Sequence, residues 1–428
     1  MNETIEKFGS WLGPMAGKHP GLTEKILAGV YKSVSFQASR FPNTSDYMPS
    51  REYMQGITTG LMSEVLTHPG RCAVVNIFMS CEIFHTLGIR VSAPEALSIL
   101  LTNTAVEQPF IQAAQDNGAS ENFCSFHRAL LGLAETGVLR APMFIAHTTT
   151  ACDANQLTFH RLSEIWKVPR FVIDVPYDVG EDAVCYVAGQ LKELQRAAEE
   201  CAGKKTDPAL LRQAVARSIR TQEAYRRYLS KRSRYHLPEV MTPELLNVFC
   251  SHLYLGNEEA ERYAQMLEDE LSSAKPAGSA PKILWMHVVP NAQEPLKAVF
   301  QGKGSAHFEV LGCDLAYDNL VPMDENRPYE SMARRMVYSS YNGPGIRRIE
   351  RTLELARQMK ADGVLIFCQW GCKQTQGIAY AAKKTFEEAG FPALVLDGDA
   401  CDRTNEASGQ ALTRVAAFEE ELRGNAGV

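Results

Sequence analysis

The sequence predicts an α/β protein with two similar parallel-sheet domains of the flavodoxin or Rossmann type, together with helical N-terminal and middle segments. Residues 364–402 contain an apolar run, a helical run and a second apolar run, which predicts a right-handed strand–helix–strand crossover. Residues 144–174 repeat this order at nearly the same length. Residues 182–271 are rich in Glu, Arg, Lys, Ala and Leu, which is typical of helices.

These patterns predict four consecutive regions. We expect a helical N-terminal segment at 1–70, a first α/β domain at 71–181, a helical segment at 182–275 and a second α/β domain at 276–428. The run KPAGSAP, Lys275–Pro281, has the composition of a linker. An internal duplication of this kind would place a cleft between two sheets, which is a common position for a cofactor.

In the first half, short apolar runs predict strands and amphipathic runs predict helices. A helix over Glu52–Thr67 is expected to end at Pro69 and Gly70. The predicted strands are Cys72–Phe78, Met143–His147 and Phe171–Val175, and the predicted helices are Ile83–Leu87 and Leu157–Trp166.

The second half shows the same alternation. Gly390 and Pro392 separate its best-defined helix from the strand that follows. The predicted strands are Ile283–Val289, His307–Leu311, Val364–Cys368 and Ala393–Leu396, and the predicted helices are Ile378–Ala389 and Ala411–Leu422.

Composition and charge exclude several function classes. The 428 residues carry a net charge of −6 with acids and bases interspersed, which gives no footprint for nucleic acid or an anionic membrane. No apolar run reaches the roughly 18 residues that a transmembrane helix needs. The sequence has 11 cysteines and no export signal, which argues against a disulfide framework and favours a cytoplasmic protein. These cysteines are then buried thiols, ligands of a metal or cluster, or redox groups.

Four cysteines follow predicted strands: Cys81, Cys152, Cys372 and Cys401. Ligands of a parallel sheet bind outside the carboxyl ends of its strands, so thiols in these loops suit an iron–sulfur cluster held from distant loops. The alternative is that they are small buried hydrophobic residues. Spacing alone does not decide, because the chain has no C-x2-C pair and its C-x3-C pair names no metal.

The segments GCKQTQG, LVLDGDACDRTN and GQALTRVAAFEEEL resemble the C-terminal domain of the 2-hydroxyacyl-CoA dehydratase family. That family also includes benzoyl-CoA reductase subunits and double-cubane-cluster reductases. The resemblance continues upstream in NFCSFHR, ACDAN and FVIDVPYD, and it covers roughly Ala73 to the C-terminus.

This resemblance implies a 4Fe–4S cluster held by three cysteines. Motif by motif, they are Cys124 in NFCSFHR, Cys152 in the loop after MFIAH and Cys372 in GCK. Three protein ligands leave one iron open, as Lewis-acid chemistry requires. Cys81 lies beside the family's catalytic loop and is a further candidate ligand, with a buried thiol as the alternative.

The family's catalytic residues are a Ser near the first strand exit and a Glu in a Pro-Glu pair. The Glu position corresponds to Glu95, which could equally be an acid that favours a helix N-terminus. At the Ser position this chain has Ile77, with Ser80 nearby as a candidate hydroxyl. The departure at Ile77 leaves open that this subunit is not the one that binds substrate.

The resemblance implies an iron–sulfur subunit of a hydro-lyase that converts an (R)-2-hydroxyacyl-CoA into an (E)-2-enoyl-CoA through a ketyl radical. It also implies a homologous second dehydratase subunit and a separate ATP-dependent iron–sulfur activator, and this chain has no P-loop motif. Whether a flavin binds stays open. The alternatives are a reductase subunit of the same superfamily, a non-catalytic electron-relay or structural subunit and, more remotely, a mononuclear zinc protein.

Overall fold

The computed structural model describes residues 3–300, 307–405 and 408–425. It is a mixed α/β structure with two four-stranded parallel sheets and a two-stranded antiparallel ribbon. In the N-terminal segment and first half, the helices and strands in chain order are α1 Glu3–Leu12, α2 Pro20–Arg40, α3 Pro49–Thr67, β1 Cys72–Val75, α4 Glu82–Leu87, β2 Arg90–Ser92, α5 Pro94–Asn103, α6 Glu107–Asp116, α7 Ser125–Glu135, β3 Phe144–Thr148, α8 Asp153–Trp166 and β4 Arg170–Ile173.

The middle segment is helical, as predicted, and the second sheet follows it. In chain order the remaining elements are α9 Glu181–Ala202, α10 Pro208–Lys231, β5 Tyr235–His236, α11 Met241–His252, α12 Glu258–Ser273, β6 Lys275–Pro276, β7 Lys282–Met286, α13 Glu294–Phe300, β8 Glu309–Cys313, α14 Pro328–Tyr338, α15 Gly345–Met359, β9 Gly363–Gln369, α16 Lys373–Gln376, α17 Ala379–Glu388, β10 Ala393–Gly398 and α18 Ser408–Asn425.

The two sheets share one strand order. The first runs β2-β1-β3-β4 and the second β8-β7-β9-β10, so each strand of one has a counterpart at the same place in the other. Every strand pair in both sheets is parallel. This confirms the predicted pair of flavodoxin- or Rossmann-like sheets. In each sheet the strand order reverses between the first and third strands, and open α/β sheets bind ligands at such a point.

Several predicted details are wrong: β2 was not predicted, and β4 and β7 end at Ile173 and Met286 instead of Val175 and Val289. The first strand ends at Val75 instead of Phe78, because the Asn76 side chain closes the strand end: its amide group donates to Thr148 Oγ1 and accepts from the Thr148 N–H, both at 3.0 Å. The predicted linker is ordered at its start, since Lys275 and Pro276 form β6 against β5.

Buried ion pairs join the two halves. Arg335 of α14 contacts Glu82 of α4 at 2.8 and 3.0 Å, and both side chains are almost fully buried. Arg128 of α7 contacts Asp402 at 3.2 Å, also in the interior. Separating the halves would leave the charges of both pairs without these partners, so the two ion pairs oppose separation. Within the described part of the chain, no helix is long and apolar enough to span a bilayer.

Candidate active site

A cavity of about 70 Å³ lies where the two sheets face each other. Its wall includes residues that follow all four central strands: Ile77 after β1, Cys152 after β3, His287 after β7 and Cys372 after β9. The cavity therefore spans the strand-order reversal of both sheets, which is the position where such folds bind ligands. Its surface is mostly apolar.

Three of the cysteines predicted as ligands line this cavity: Cys124, Cys152 and Cys372. Each directly precedes a helix, α7, α8 and α16 respectively. Cys124 lies on a third loop, which belongs to the α5–α7 insertion between β2 and β3. This explains why strand-exit reasoning alone could not select it.

Gly371 brings two of these loops into contact. Its φ is +76°, in the left-handed region that glycine tolerates best. A Cβ at this position would lie 2.8 Å from both Asn122 O and Cys124 N. Any side chain at residue 371 would therefore push the loop of Cys372 away from that of Cys124.

The three thiols influence one another. Burial raises the pKa of Cys124 well above its usual value, and the neighbouring Cys152 and Cys372 raise it further. Burial and then Cys372 likewise raise the pKa of Cys152. A bound cation favours the thiolate form of a cysteine, so it would offset the raised pKa values of Cys124 and Cys152.

The three thiols do not form a single-ion site. Within the described ranges, no three His, Cys, Asp or Glu side chains are grouped so that they could hold one metal ion. A cubane binds each thiolate at a different iron, so its ligands stand farther apart than those around one ion. Cys124, Cys152 and Cys372 are the residues that would hold such a cluster here.

Buried polar atoms without partners also surround the cavity. Glu95 Oε2, His127 Nδ1 and His287 Nδ1 are inaccessible to solvent and make no hydrogen bond. Unsatisfied buried atoms are rare in native proteins and require an explanation. These three atoms are available to hydrogen-bond a molecule bound in the cavity.

Burial sets the protonation of these groups. It raises the pKa of Glu95 to about 7. It lowers the pKa of His127 to about 3, and burial followed by the nearby Arg348 cation lowers the pKa of His287. Both imidazoles are therefore neutral near pH 7, while Glu95 is balanced between its acid and base forms, as suits a general acid–base group.

Two loops at the cavity carry strained backbone. Ala151 has a φ of +62° and His287 a φ of +87°, although neither is glycine. The His287 N–H donates to Asp314 Oδ1 at 2.6 Å, which holds this conformation. Asp314 is itself paired with Arg348 at 2.9 Å. Such strain persists only where surrounding contacts enforce it, and it concentrates at functional sites.

Asp399 holds the loops of the second half in place. Its Oδ1 accepts from Ser125 Oγ at 2.5 Å, from Gln369 Nε2 at 2.9 Å and from the N–H groups of Cys401 and Asp402 at 3.0 and 2.9 Å. One carboxylate therefore fixes the end of β9, the loop after β10 and the residue that follows Cys124.

The other candidates lie outside the cavity. Ser80 accepts a hydrogen bond from Arg335 Nη2 at 2.8 Å and donates to Met332 O at 3.3 Å, so its hydroxyl belongs to the contact between the halves. Cys81 is fully buried, and its thiol donates to Met79 O at 3.3 Å. Ile77, at the position of the family's Ser, does line the cavity.

Sequence reasoning missed His127, His287, Tyr341 and Gln369, which all line the cavity. His127 was visible, because it follows Cys124 by three residues at the start of a helix and so shares its side. His287 was harder to identify from the sequence, because the predicted strand Ile283–Val289 continued through it. For Tyr341 we find no sequence signal.

Comparison with known proteins identifies the family of this chain. The family model of "2-hydroxyglutaryl-CoA dehydratase, D-component" matches residues 76–422. The (R)-phenyllactyl-CoA dehydratase alpha subunit of Clostridium sporogenes is 23% identical over 80% of this chain and 87% of its own length. The beta subunit from the same organism is 24% identical over 52% of this chain and 60% of its own length.

A third relative is the (R)-2-hydroxyglutaryl-CoA dehydratase subunit alpha of Acidaminococcus fermentans, which is 26% identical over 66% of this chain and 61% of its own length. Helices α1 to α3 precede the range matched by the family model. The matched range begins directly after β1 and contains the other seven strands of the two sheets and every residue that we place at the cavity. This chain belongs to the 2-hydroxyglutaryl-CoA dehydratase D-component family.

Proposed function

We propose that this chain is the iron–sulfur subunit of an (R)-2-hydroxyacyl-CoA dehydratase, a hydro-lyase that forms (E)-2-enoyl-CoA by a ketyl-radical route. The observation that carries the proposal is the convergence of Cys124, Cys152, Cys372 and Glu95 on one cavity. Family membership supplies the reaction class, because the relatives are named as dehydratase subunits.

In this proposal Cys124, Cys152 and Cys372 hold a 4Fe–4S cluster. When bound, the cluster would supply a transferable electron and an iron that acts as a Lewis acid. The chain's own contribution is the enclosure. An apolar wall excludes water and so strengthens each electrostatic interaction inside the cavity.

Glu95 is the group that we assign to proton transfer. Elimination of water needs a base for the β-hydrogen, and only a deprotonated Glu95 can accept that proton. Its pKa of about 7 lets it both take the proton and release it near neutral pH. His127 Nε2 lies 3.5 Å from Cys152 Sγ and its Nδ1 is unpartnered, so the neutral ring can orient a ligand at this thiol.

We also propose a homologous second subunit and an ATP-dependent activator as partners. The support for the first is that this chain matches both an alpha and a beta subunit of one dehydratase. A radical reaction suits a site that a second subunit covers, because contact with water would quench the radical. The polar head of acyl-CoA also suits a site shared between two subunits.

A second candidate function rests on one observation. Ile77 lines the cavity where the family has Ser, and Ser80 is occupied with Arg335. With no hydroxyl at this place, the chain could serve as a non-catalytic electron-relay subunit beside a catalytic partner. A double-cubane reductase has no such support, because among the described residues only the three proposed ligands bring a thiol to this cavity.

The test is strictly anaerobic purification of the chain, alone and with its homologous second subunit, followed by iron and sulfide analysis and Mössbauer spectroscopy. About four irons per chain with a 4Fe–4S signature, and hydration or dehydration of acyl-CoA by the pair with activator and ATP, support the proposal. Iron without loss of activity in Glu95→Gln favours the relay subunit. About eight irons would indicate a double cubane, and folded protein without iron would contradict both proposals.

A further inference from the structure

The wall of the thiol cavity limits the kind of acyl group that the cavity can enclose. The cavity measures about 70 Å³, whereas sites that enclose a whole drug-sized ligand measure roughly 300–1,000 Å³. Only the acyl end of a CoA thioester therefore fits inside, and the charged CoA part stays outside. The names of the relatives leave the acyl group open, because one is named for phenyllactyl-CoA, with a neutral aromatic side chain, and another for 2-hydroxyglutaryl-CoA, with a second carboxylate.

Both halves of the chain give this wall an apolar surface. It is lined by five large apolar side chains, Ile77, Phe78, Phe126, Val288 and Leu315. The first three belong to the first half and the other two to the second half. Such side chains favour contact with hydrocarbon, and they offer no hydrogen bond to a charged group.

Two polar side chains of the wall are already occupied within the protein. The Gln369 amide donates to Asp399 Oδ1 at 2.9 Å and accepts from the Ala400 N–H at 2.7 Å. The Tyr341 hydroxyl donates to the carboxylate of Asp314 at 3.4 Å. A ligand that recruited either group would break these bonds, so neither is free to solvate a charge.

The wall also provides no cation. Among the described residues, no Lys or Arg lines the cavity. The buried guanidinium of Arg348 contacts the ring of Tyr341, at 4.2 Å from its centre, and is paired with Asp314 at 2.9 Å. The charge of Arg348 is therefore already balanced by a carboxylate of the protein, as a buried cation requires.

The ionisable side chains of the wall other than the thiols do not supply a partner for a carboxylate. His127 and His287 line the cavity, but neither ring forms an ion pair with a described carboxylate. Charging one of these rings would bury a cation in an apolar wall, which is costly even beside a carboxylate. Glu95, the one acid among the described lining residues, would repel a second carboxylate.

We propose that the acyl group enclosed by this cavity is uncharged, with an aliphatic or aromatic side chain, and that acyl groups with a second carboxylate are rejected. A second carboxylate would lose its hydration at the apolar wall without gaining a cation, and such uncompensated burial is costly. The inference rests on the proposed function, because it assumes that a CoA thioester binds at this cavity.

The test compares two CoA thioesters that have no α-hydroxyl group to eliminate. Isothermal titration calorimetry of the anaerobically purified pair of subunits measures the binding of 5-methylhexanoyl-CoA and of glutaryl-CoA, in which a carboxylate replaces the terminal isopropyl group. We expect the neutral thioester to bind at least tenfold more tightly. Equal binding, or tighter binding of glutaryl-CoA, would overturn the inference and leave the proposed function standing. If neither thioester bound more tightly than free CoA, the proposed function itself would be contradicted, and this inference with it.

A variant shows whether this chain, and not its partner subunit, sets the preference. Val288→Lys places a cation in the cavity at a partly exposed position, so it should reduce the preference for the neutral thioester at least tenfold. Val172→Lys, at an exposed position on β4, is the matched control and should keep the preference. An unchanged preference in Val288→Lys would overturn the inference, because the acyl group would then lie elsewhere.

A second variant guards against misfolding of Val288→Lys. Gln374 also lines the cavity but is exposed, so Gln374→Lys brings a cation to the cavity without burying it in the core. Circular dichroism shows whether each variant is folded. A reduced preference for the neutral thioester in folded Gln374→Lys supports the inference, and an unchanged preference in both folded lysine variants would overturn it.

Discussion

The two sheets have the same strand order but supply different parts of the site. The first half provides two of the three thiols and Glu95, and two of these residues come from the segment α5–α7 between β2 and β3. The corresponding segment of the second half, α14–α15 between β8 and β9, brings Tyr341 to the cavity but no thiol. The second half provides Cys372 and the Asp399 brace. The shared topology thus forms the cavity, and the residues that differ between the two halves provide its thiols and its acid.

The most direct test of whether both halves supply ligands is to remove one thiol from each half. If the centre is a cluster held from both sides, Cys152→Ala and Cys372→Ala should each reduce bound iron from about four per chain to near zero, because two remaining thiolates hold it poorly. Iron and sulfide analysis after anaerobic purification measures this. Cys185→Ala, at an exposed position on α9, is the control and should keep its iron. Retention of iron by either cavity variant would contradict a ligand role for that cysteine.

The next largest effect concerns the contact between the halves at Gly371. Gly371→Ala should lower the free energy of unfolding by about 3 kcal/mol, because the left-handed φ costs an alanine about 1–2 kcal/mol and its Cβ also meets the Cys124 loop. Urea denaturation measures the change.

Gly390→Ala is the matched control for Gly371→Ala. Gly390 has a similar φ of +86°, but no atom lies near its Cβ position, so about 1 kcal/mol is expected. Equal losses for the two variants would mean that the loop contact at Gly371 contributes nothing.

The Glu95 carboxyl can be tested by the dependence of stability on pH. Its pKa is about 7 in the folded chain and ordinarily 4.5, so below pH 4.5 it is protonated in both states and has no effect. Above pH 7 its ionisation in the folded chain costs roughly 3 kcal/mol. Glu95→Gln should therefore raise the free energy of unfolding at pH 8 by roughly 2–3 kcal/mol and change it little at pH 4.

Glu107→Gln provides the opposite sign as a control for Glu95→Gln. Glu107 is also buried, but it is paired with Arg403, and its loss leaves that cation without this partner. We expect destabilisation of about 3 kcal/mol at pH 8. If Glu95→Gln also destabilised the chain at pH 8, the ionised Glu95 carboxylate would have to stabilise the fold, which would contradict the expected cost of its ionisation.

The smallest effect concerns the brace in the second half. Asp399→Asn keeps the shape of the side chain but removes the charge that strengthens its bonds to Ser125 and Gln369, so we expect a loss of about 1–2 kcal/mol in urea denaturation. Asp397→Asn, two residues earlier on β10 and exposed, should change stability by less than about 0.5 kcal/mol. A similar loss of stability in Asp399→Asn and Asp397→Asn would mean that the bonds of Asp399 to Ser125 and Gln369 make no special contribution.

Local patterns predicted most of the fold. Apolar runs predicted seven of the eight strands in the two sheets but missed the short β2, Arg90–Ser92, and the repeat at residues 144–174 and 364–402 anticipated their common topology. The end of β1 was missed because the Asn76 side chain bonds across to β3, a contact between residues 72 positions apart in the chain. Periodicity reports which face a residue occupies, and it carries no information about such distant partners.

The site was less accessible to sequence reasoning for the same reason. Strand-exit logic found Cys152 and Cys372, but Cys124 required the family motif, because its loop reaches the cavity from an insertion. Ser80 was proposed from its nearness in sequence to the family's Ser position, and the structure directs its hydroxyl to Arg335. Burial of Glu95, which determines its acid–base character, results from packing and cannot be seen in a Pro-Glu pair.

The contact at Gly371 also orders the events of folding. The loops it joins are about 250 residues apart in the chain, so the contact closes one of the longest loops in the molecule. We expect it to form late, after each sheet has gained its local structure. A chain interrupted during synthesis before residue 371 has only two of the three thiols in place. The thiol cavity is therefore complete only in the full chain, after both halves have folded and packed against each other.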